Sequence, residues 1–139
     1  MSNTITYKSD VKISADQFID VLKRSTLAER RPIHDRVKIE NMLHHGNILI
    51  TAWDGDLLVG VSRALSDFAF CCYLSDLAVD ETYQKQGIGK QLIHETHAIS
   101  GLHSSLILLA APKAANYYPK IGMERFTDCF LIRKKVNEN

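Results

Sequence analysis

The segment LAVDETYQKQGIGK, residues 77–90, joins the end of an apolar strand to the start of a helix through a short polar connection. Two glycines, Gly87 and Gly89, flank a single residue at the helix start. The first N–H groups of a helix have no partners within it, and the helix dipole adds partial positive charge there. Because Lys85 and Lys90 add further positive charge, the segment predicts a phosphate or pyrophosphate site.

Two familiar phosphate-binding motifs are absent from this segment. The P-loop spacing, Gly-x-x-x-x-Gly-Lys-Ser/Thr, does not occur. The dinucleotide fingerprint requires a third glycine where this chain has Leu92. From the residues alone a second interpretation stays open, in which Gly87 and Gly89 only begin and pack an ordinary helix.

Upstream of the segment, β-type and apolar runs predict strands at residues 5–7, 47–53, 57–66 and 70–79. The turn Asp54-Gly55-Asp56 predicts a hairpin between the second and third of them. Two helices are predicted before this hairpin. The first begins with a capping box of Ser14 and Gln17, and the second, at about residues 35–45, ends at Gly46 as a left-handed stop.

Downstream, a helix is predicted from Gly87 to about Ser100, and the apolar run Ser105–Ala110 predicts a strand buried on both faces. Pro112 predicts a further helix through Tyr118 to near Gly122, and residues 124–133 predict a final strand or hairpin. The strands at 70–79 and 105–110 flank a helix and should be parallel. We predict one domain over residues 1–139, of the α/β (α+β) class, with a mixed central β-sheet and helices on both faces.

The composition is that of a soluble globular protein, with 139 residues, 45% hydrophobic and 24% charged, and a net charge of +1. This balance argues against a strongly basic nucleic-acid binder. The cysteines lack ligand spacing and the pair His94 and His97 lacks a third ligand, so no metal site is predicted. The N-terminus lacks a signal-peptide pattern, and the longest apolar run is too short to span a bilayer. We therefore expect a cytoplasmic protein without a membrane partner.

Two motifs carry a resemblance to a known family. They are Gln84-x-x-Gly87-x-Gly89 and, further along the chain, AANYYPKIGM at residues 114–123. The first resembles the acyl-CoA pyrophosphate motif of the GNAT superfamily of N-acyltransferases, and the second is similar to the family's late A-x-x-x-Y-x-x-x-G-F segment. The resemblance covers residues 57–123, including the helix and strand between the motifs. It implies a GNAT-like fold and direct attack of an amine on the thioester of acetyl-CoA.

The resemblance also implies how the donor binds. The pantetheine arm would pair with main-chain groups of one strand, and the pyrophosphate would take N–H groups from the loop and helix start. The implied donor-site residues are Leu77, Ala78, Val79, Lys85, Gln86, Gly87, Ile88, Gly89 and Lys90. Many relatives carry an asparagine at the position of Ala111, and Asn116 is the candidate that would replace it here.

Two residues are candidates for catalysis. Tyr118 matches the family tyrosine near the acyl sulfur, which implies a general acid that returns a proton to the CoA thiolate. A phenol suits this role because its pKa of ~10 exceeds the ~8.5 of a thiol; the alternative is a packing residue. Asp76 is the candidate base for the amine, and strand alternation places it on one face with Leu74 and Ala78. Its alternative is a solvated or hydrogen-bonded carboxylate.

The sequence is compatible with several functions. A small primary amine is the expected acceptor, and a protein lysine or N-terminus is the alternative. A CoA-binding regulatory module without turnover is a second class. A nucleic-acid partner held by residues 133–135 is disfavoured by the near-neutral charge. A homodimer is common in the family, and the apolar C-terminal strand could serve as its interface. A mixed-charge patch lies in the family's acceptor region and consists of Lys23, Arg24, Glu29, Arg30 and Arg31.

Overall fold

The computed structural model describes residues 4–135. The strands are β1 Ile5–Lys8, β2 Ile48–Asp54, β3 Leu57–Ser66, β4 Cys71–Val79 and β5 Ser105–Leu108. The helices are α1 Ala15–Ser25, α2 Arg36–His45, α3 Ile88–Ser100 and α4 Tyr117–Lys120. Short 3-10 turns occupy Leu27–Arg30, Glu81–Tyr83 and Pro112–Ala114. These elements fall into two compact units, one up to Leu109 and one from Ala110, and the single domain stays a prediction.

The first unit contains a five-stranded sheet in the order β1-β2-β3-β4-β5. Neighbouring strands are antiparallel except β4 and β5, which are parallel and joined through α3. On one face, α1 and α2 pack against Trp53 and Val61. On the other face, Ile88 and Leu92 of α3 pack against apolar residues of β2, β3 and β4. The predicted mixed sheet with helices on both faces is confirmed.

Helix α1 begins at the predicted capping box. The Ser14 hydroxyl accepts a bond from the Gln17 N–H at 3.1 Å, and the Gln17 amide oxygen accepts one from the Ser14 N–H at 2.9 Å. Its apolar stripe buries Phe18, Val21 and Leu22 completely. The local capping signal and the buried apolar stripe both favour the same helix, which covers one face of the sheet.

A β-bulge in β4 changes which face each side chain occupies. Arg63 pairs with Asp76 and Ala64 pairs with Leu74, which leaves Ser75 as the extra residue. Leu74 consequently packs on the α3 face, whereas Ala78 packs on the α1–α2 face. The prediction that Asp76 shares a face with Leu74 is wrong, because simple alternation fails at a bulge.

Strand β5 lies at an edge of the sheet. Its residue Ile107 is 53% exposed, while Leu106 and Leu108 are half-buried against the α3 core. The predicted burial on both faces is therefore wrong. An apolar run shows that a strand can be covered, but the neighbouring elements decide whether both of its faces are covered.

Gly46 ends α2 as predicted, but not in the left-handed conformation. Its φ is −69°, which any residue can adopt. A Cβ at this position would lie 2.9 Å from Cγ of Arg63. The glycine is therefore required by the close approach of the Arg63 side chain, a contact between distant parts of the sequence.

The second unit departs from the predicted helix and strand. The segment from Pro112 forms a 3-10 turn and then the separate short helix α4. Pro119 has no N–H to bond the carbonyl four residues earlier, which prevents one continuous helix. Residues 124–135 contain no strand, and Phe130 and Ile132 are 91% and 99% exposed. β-type residues form a strand only with a partner, so the predicted final strand is wrong for these residues.

We expect Leu92→Ala to lower the free energy of unfolding by about 2–5 kcal/mol, because it removes a completely buried side chain of α3. Leu102→Ala is the matched control, since Leu102 is 77% exposed, and should change it by less than about 0.5 kcal/mol. Urea denaturation followed by circular dichroism measures both. Equal losses in the two variants would contradict the core position of Leu92.

Candidate active site

Strands β4 and β5 pair over only part of their length. The parallel pairing begins at Cys71 with Ser105 and ends at Leu74 with Leu108. β4 then continues to Val79, paired on its other side with β3. We call the space that β5 leaves beside residues 75–79 the β4–β5 opening. It exposes one main-chain edge of the strand that holds Leu77, Ala78 and Val79, as an extended ligand requires.

The connection after β4 is held by a network around Asp80. The Asp80 N–H donates to the Val59 carbonyl at 2.8 Å, and one carboxylate oxygen accepts from the Thr82 N–H and hydroxyl, each at 2.8 Å. The other oxygen accepts from Arg24 of α1 at 2.6 Å. Burial acts to raise the pKa of Asp80, but the bonds from Arg24 and Thr82 hold it below its ordinary value. The carboxylate therefore stays charged and fixes the start of the connection.

The start of α3 has the backbone of an anion site. Gly87 has a φ of +83° and opens into free space, since a Cβ there would meet no atom within 4 Å. Lys85 has a φ of +66°, a left-handed conformation that costs a residue with a side chain about 1–2 kcal/mol. The Gln91 N–H bonds the Gly87 carbonyl at 3.0 Å. The N–H groups of the three preceding residues thus have no carbonyl within the helix.

The residues of this loop that are predicted to bind the donor differ in their exposure. Lys85, Gln86, Gly87 and Lys90 are exposed, and Gly89 is partly so. Ile88 is buried in the α3 core, where it anchors the first turn of the helix. The unpaired N–H groups and the positive end of the helix dipole therefore lie in a segment that also contains two exposed lysines, a combination that suits a pyrophosphate.

Asp76 lies completely buried between two arginines. One carboxylate oxygen accepts from Nε of Arg31 and the other from Nε of Arg63. Arg31 also donates to the Ser75 carbonyl at 2.8 Å, and Arg63 donates to the Ser75 hydroxyl at 3.0 Å and the Met42 carbonyl at 3.1 Å. A general base needs an oxygen directed at the amine. The geometry instead fits the alternative of a hydrogen-bonded carboxylate that positions its neighbours.

Sequence reasoning missed the roles of Arg63 and Arg31. A signal for Arg63 was available, because a charged residue in the middle of an apolar strand requires a partner. Arg63 lies in the strand predicted at 57–66, and the next strand along the chain, 70–79, contains Asp76 as its only carboxylate. Arg31 belongs to the mixed-charge patch, and no local pattern distinguishes it from Arg30. Its pairing with Asp76 becomes visible only in the folded chain.

The second unit contains Tyr118 and Asn116. The rings of Tyr117 and Tyr118 meet edge to face, with centroids 5.2 Å apart. Burial, and to a lesser degree Tyr117, raises the pKa of Tyr118 above its ordinary value, which keeps the hydroxyl protonated. The amide oxygen of Asn116 accepts from Arg125 at 3.1 Å. The Asn116 side chain is thus hydrogen-bonded to a residue of its own unit.

Within residues 4–135, no three His, Cys, Asp or Glu side chains are grouped so that they could hold a metal ion. The helices of the same range are too short or too polar to cross a bilayer.

Comparison with known proteins identifies relatives of this chain. A family profile described as "Acetyltransferase (GNAT) domain" matches residues 45–125. The "Uncharacterized N-acetyltransferase ycf52" of Pyropia yezoensis is 26% identical over 132 residues, which is 86% of this chain and 73% of that protein. The "GCN5-related N-acetyltransferase 2, chloroplastic" of Arabidopsis thaliana is 33% identical over 69 residues, which is 48% of this chain and 27% of that protein.

Solved structures share the fold. A probable acetyltransferase from meticillin-resistant Staphylococcus aureus superposes with a TM-score of 0.77 at 20% identity, covering 96% of this chain and 100% of that one. The aminoglycoside N-acetyltransferase AAC(6')-Iy, solved in complex with CoA, gives 0.72 at 14% identity and covers 98% of both chains. The five-stranded mixed sheet is therefore the sheet of known GNAT acetyltransferases.

We expect Asp76→Ala to lower the free energy of unfolding by about 3–5 kcal/mol, because it leaves two arginines without their buried partner. Asp16→Ala is the matched control. Its side chain is 78% exposed and pairs with Arg36 on the surface, where solvent screens the pair, so its loss should lower the free energy of unfolding far less. Thermal and urea unfolding of both variants measure the difference. A small effect at Asp76 would show that its ion pairs do not stabilise the fold.

Proposed function

The chain belongs to the GNAT acetyltransferase family, and we propose that it transfers an acetyl group from acetyl-CoA to the primary amine of a small molecule. The observation that carries the proposal is the β4–β5 opening, which leads along residues 75–79 to the anion site at the start of α3. A strand edge followed by a helix N-terminus matches a donor with an extended amide-containing arm and a pyrophosphate.

The residues present fit acetyl-CoA. The free space at Gly87 allows a bulky anion to approach the backbone, and Lys85 and Lys90 add positive charge on the exposed side. The strand edge at Leu77, Ala78 and Val79 offers N–H and carbonyl groups to the arm. When bound, acetyl-CoA supplies the thioester carbonyl that the amine attacks.

We assign the remaining steps to side chains of this chain. Tyr118 would donate its phenolic proton to the departing thiolate, and its raised pKa keeps that proton in place at neutral pH. Asp76 would position Arg31 and the bulge at Ser75 rather than accept the amine proton. That proton would pass to water, since a small amine at the end of the opening can lose it to solvent.

A small acceptor is supported by the position of the connection between α1 and α2. Arg31 holds this connection against the bulge of β4, with bonds to Asp76 and to the Ser75 carbonyl. The connection therefore lies beside the closed end of the β4–β5 opening. A compact amine can reach a confined end of this kind more readily than a side chain on a folded protein surface.

Donor binding is tested by calorimetric titration with acetyl-CoA. We expect micromolar affinity for the wild-type protein and at least about tenfold weaker binding for Gly89→Glu, because an anionic side chain would occupy the pyrophosphate site. Ala98→Glu adds the same charge to an exposed position further along α3 and should bind normally. Absence of binding by the folded wild-type protein would refute the proposal.

Turnover is tested with Tyr118→Phe in an assay for release of the CoA thiol. We expect kcat to fall by about 10²-fold or more while acetyl-CoA affinity is unchanged, because only the proton donor is lost. Since the pKa of Tyr118 is raised above its ordinary value of about 10, its ionisation should not reduce activity between pH 7 and about pH 9. A CoA-binding module without turnover would release no thiol in either protein.

A further inference from the structure

We propose that the acceptor amine carries a carboxylate, and that Arg31 is the residue that selects it. The proposal rests on the proposed function, since it takes the donor arm to lie along residues 75–79. It adds the chemical class of the acceptor and a specificity residue for the reaction.

The position of Arg31 follows from the strand geometry. The pairing of β4 with β5 ends at Leu74 and Leu108, so the β4–β5 opening is closed at that end and continues from there along residues 75–79. A donor whose pyrophosphate lies at the start of α3 therefore directs its acyl end toward the closed end of the opening. Arg31 lies at that end, because its Nη2 donates to the Ser75 carbonyl at 2.8 Å. An acceptor that enters from the side of the α1–α2 connection would therefore meet this guanidinium.

The charge at this end is positive. Asp76 carries one negative charge and faces two guanidinium groups, of Arg31 and Arg63, so the cluster has a net positive charge. Arg63 is nearly buried with 8% of its side chain exposed, whereas Arg31 is 20% exposed. Of the two guanidinium groups that face Asp76, the one that reaches solvent is therefore that of Arg31.

Arg31 also has donors to offer. A guanidinium has five N–H groups in a planar fork. Within the described part of the chain, Arg31 bonds Asp76 through Nε, the Arg30 carbonyl through Nη1 and the Ser75 carbonyl through Nη2. One N–H on each terminal nitrogen is left for a further acceptor. Two such groups on one guanidinium suit the two oxygens of a carboxylate.

The same charges disfavour a polycationic acceptor. A second ammonium group beside Arg31 would meet a like charge, which costs binding energy at a partly buried site. The carboxylates Asp20 and Asp80 do not supply a cation site, because both bind Arg24. A small amino acid is therefore the acceptor type that fits, with its amine at the thioester and its carboxylate at Arg31.

The test compares amines in matched pairs, a carboxylate and its neutral amide: leucine with leucinamide, and 4-aminobutyrate with 4-aminobutyramide. In the pair that the wild-type protein acetylates faster, we expect kcat/KM to be at least about tenfold higher for the carboxylate than for its amide. Most of this difference should be a lower KM for the carboxylate. Arg31→Gln should bring that ratio to about one, and Arg31→Lys should restore part of it. Arg36→Gln is the control, because Arg36 is an exposed arginine paired with Asp16 and Glu40, and it should leave the ratio unchanged.

Because each ratio is taken within one protein, a general loss of activity or stability in a variant does not imitate the expected result. An unchanged ratio in Arg31→Gln would overturn the inference. So would a wild-type preference for the amides or for spermidine, or acetyl-CoA binding without turnover of either carboxylate. Failure to bind acetyl-CoA would instead overturn the proposed function itself, so the two failures are distinguishable.

Discussion

The buried carboxylate of Asp76 is the interaction on which the α1–α2 face of the sheet depends. It binds Arg31, which lies in the connection between α1 and α2, and Arg63, which lies on the neighbouring strand. Arg63 in turn bonds the Met42 carbonyl near the end of α2. A buried charge is costly unless it is paired, so the folded chain must keep these groups together. Helix, connection and sheet are thereby positioned by one cluster of charges.

The bulge at Ser75 gives strand β4 two different functions along its length. Before the bulge, up to Leu74, the strand pairs with β3 on one side and with β5 on the other. After the bulge, at residues 76–79, the strand pairs only with β3 among the strands described. The chain then continues from this unpaired edge to Lys85 and Gly87, which have left-handed backbone conformations. Arg24 reinforces this end by holding Asp80, so both ends of the candidate site are connected to the α1 region by arginine–aspartate pairs.

The proposed donor and acceptor sites use different kinds of groups. The proposed donor site is built mostly from main-chain N–H and carbonyl groups, which every residue supplies and which a glycine makes accessible. The proposed acceptor side is built from charged side chains that come from separate parts of the chain. An acetyltransferase of this kind can keep its donor site while substitutions in the α1–α2 connection change its acceptor.

The sequence alone determined what local patterns control: the capping box of α1, the hairpin turn at Gly55, the order of strands and helices from β1 to β5, and the glycine motif at the start of α3. Only the tertiary structure decided which face Asp76 occupies, why Gly46 must be a glycine, and how far β5 is covered. The physical reason is the separation in sequence between the residues that interact. Caps, turns and helix starts depend on residues close in sequence, whereas a bulge, a close approach and a strand's burial depend on partners that are distant in the chain.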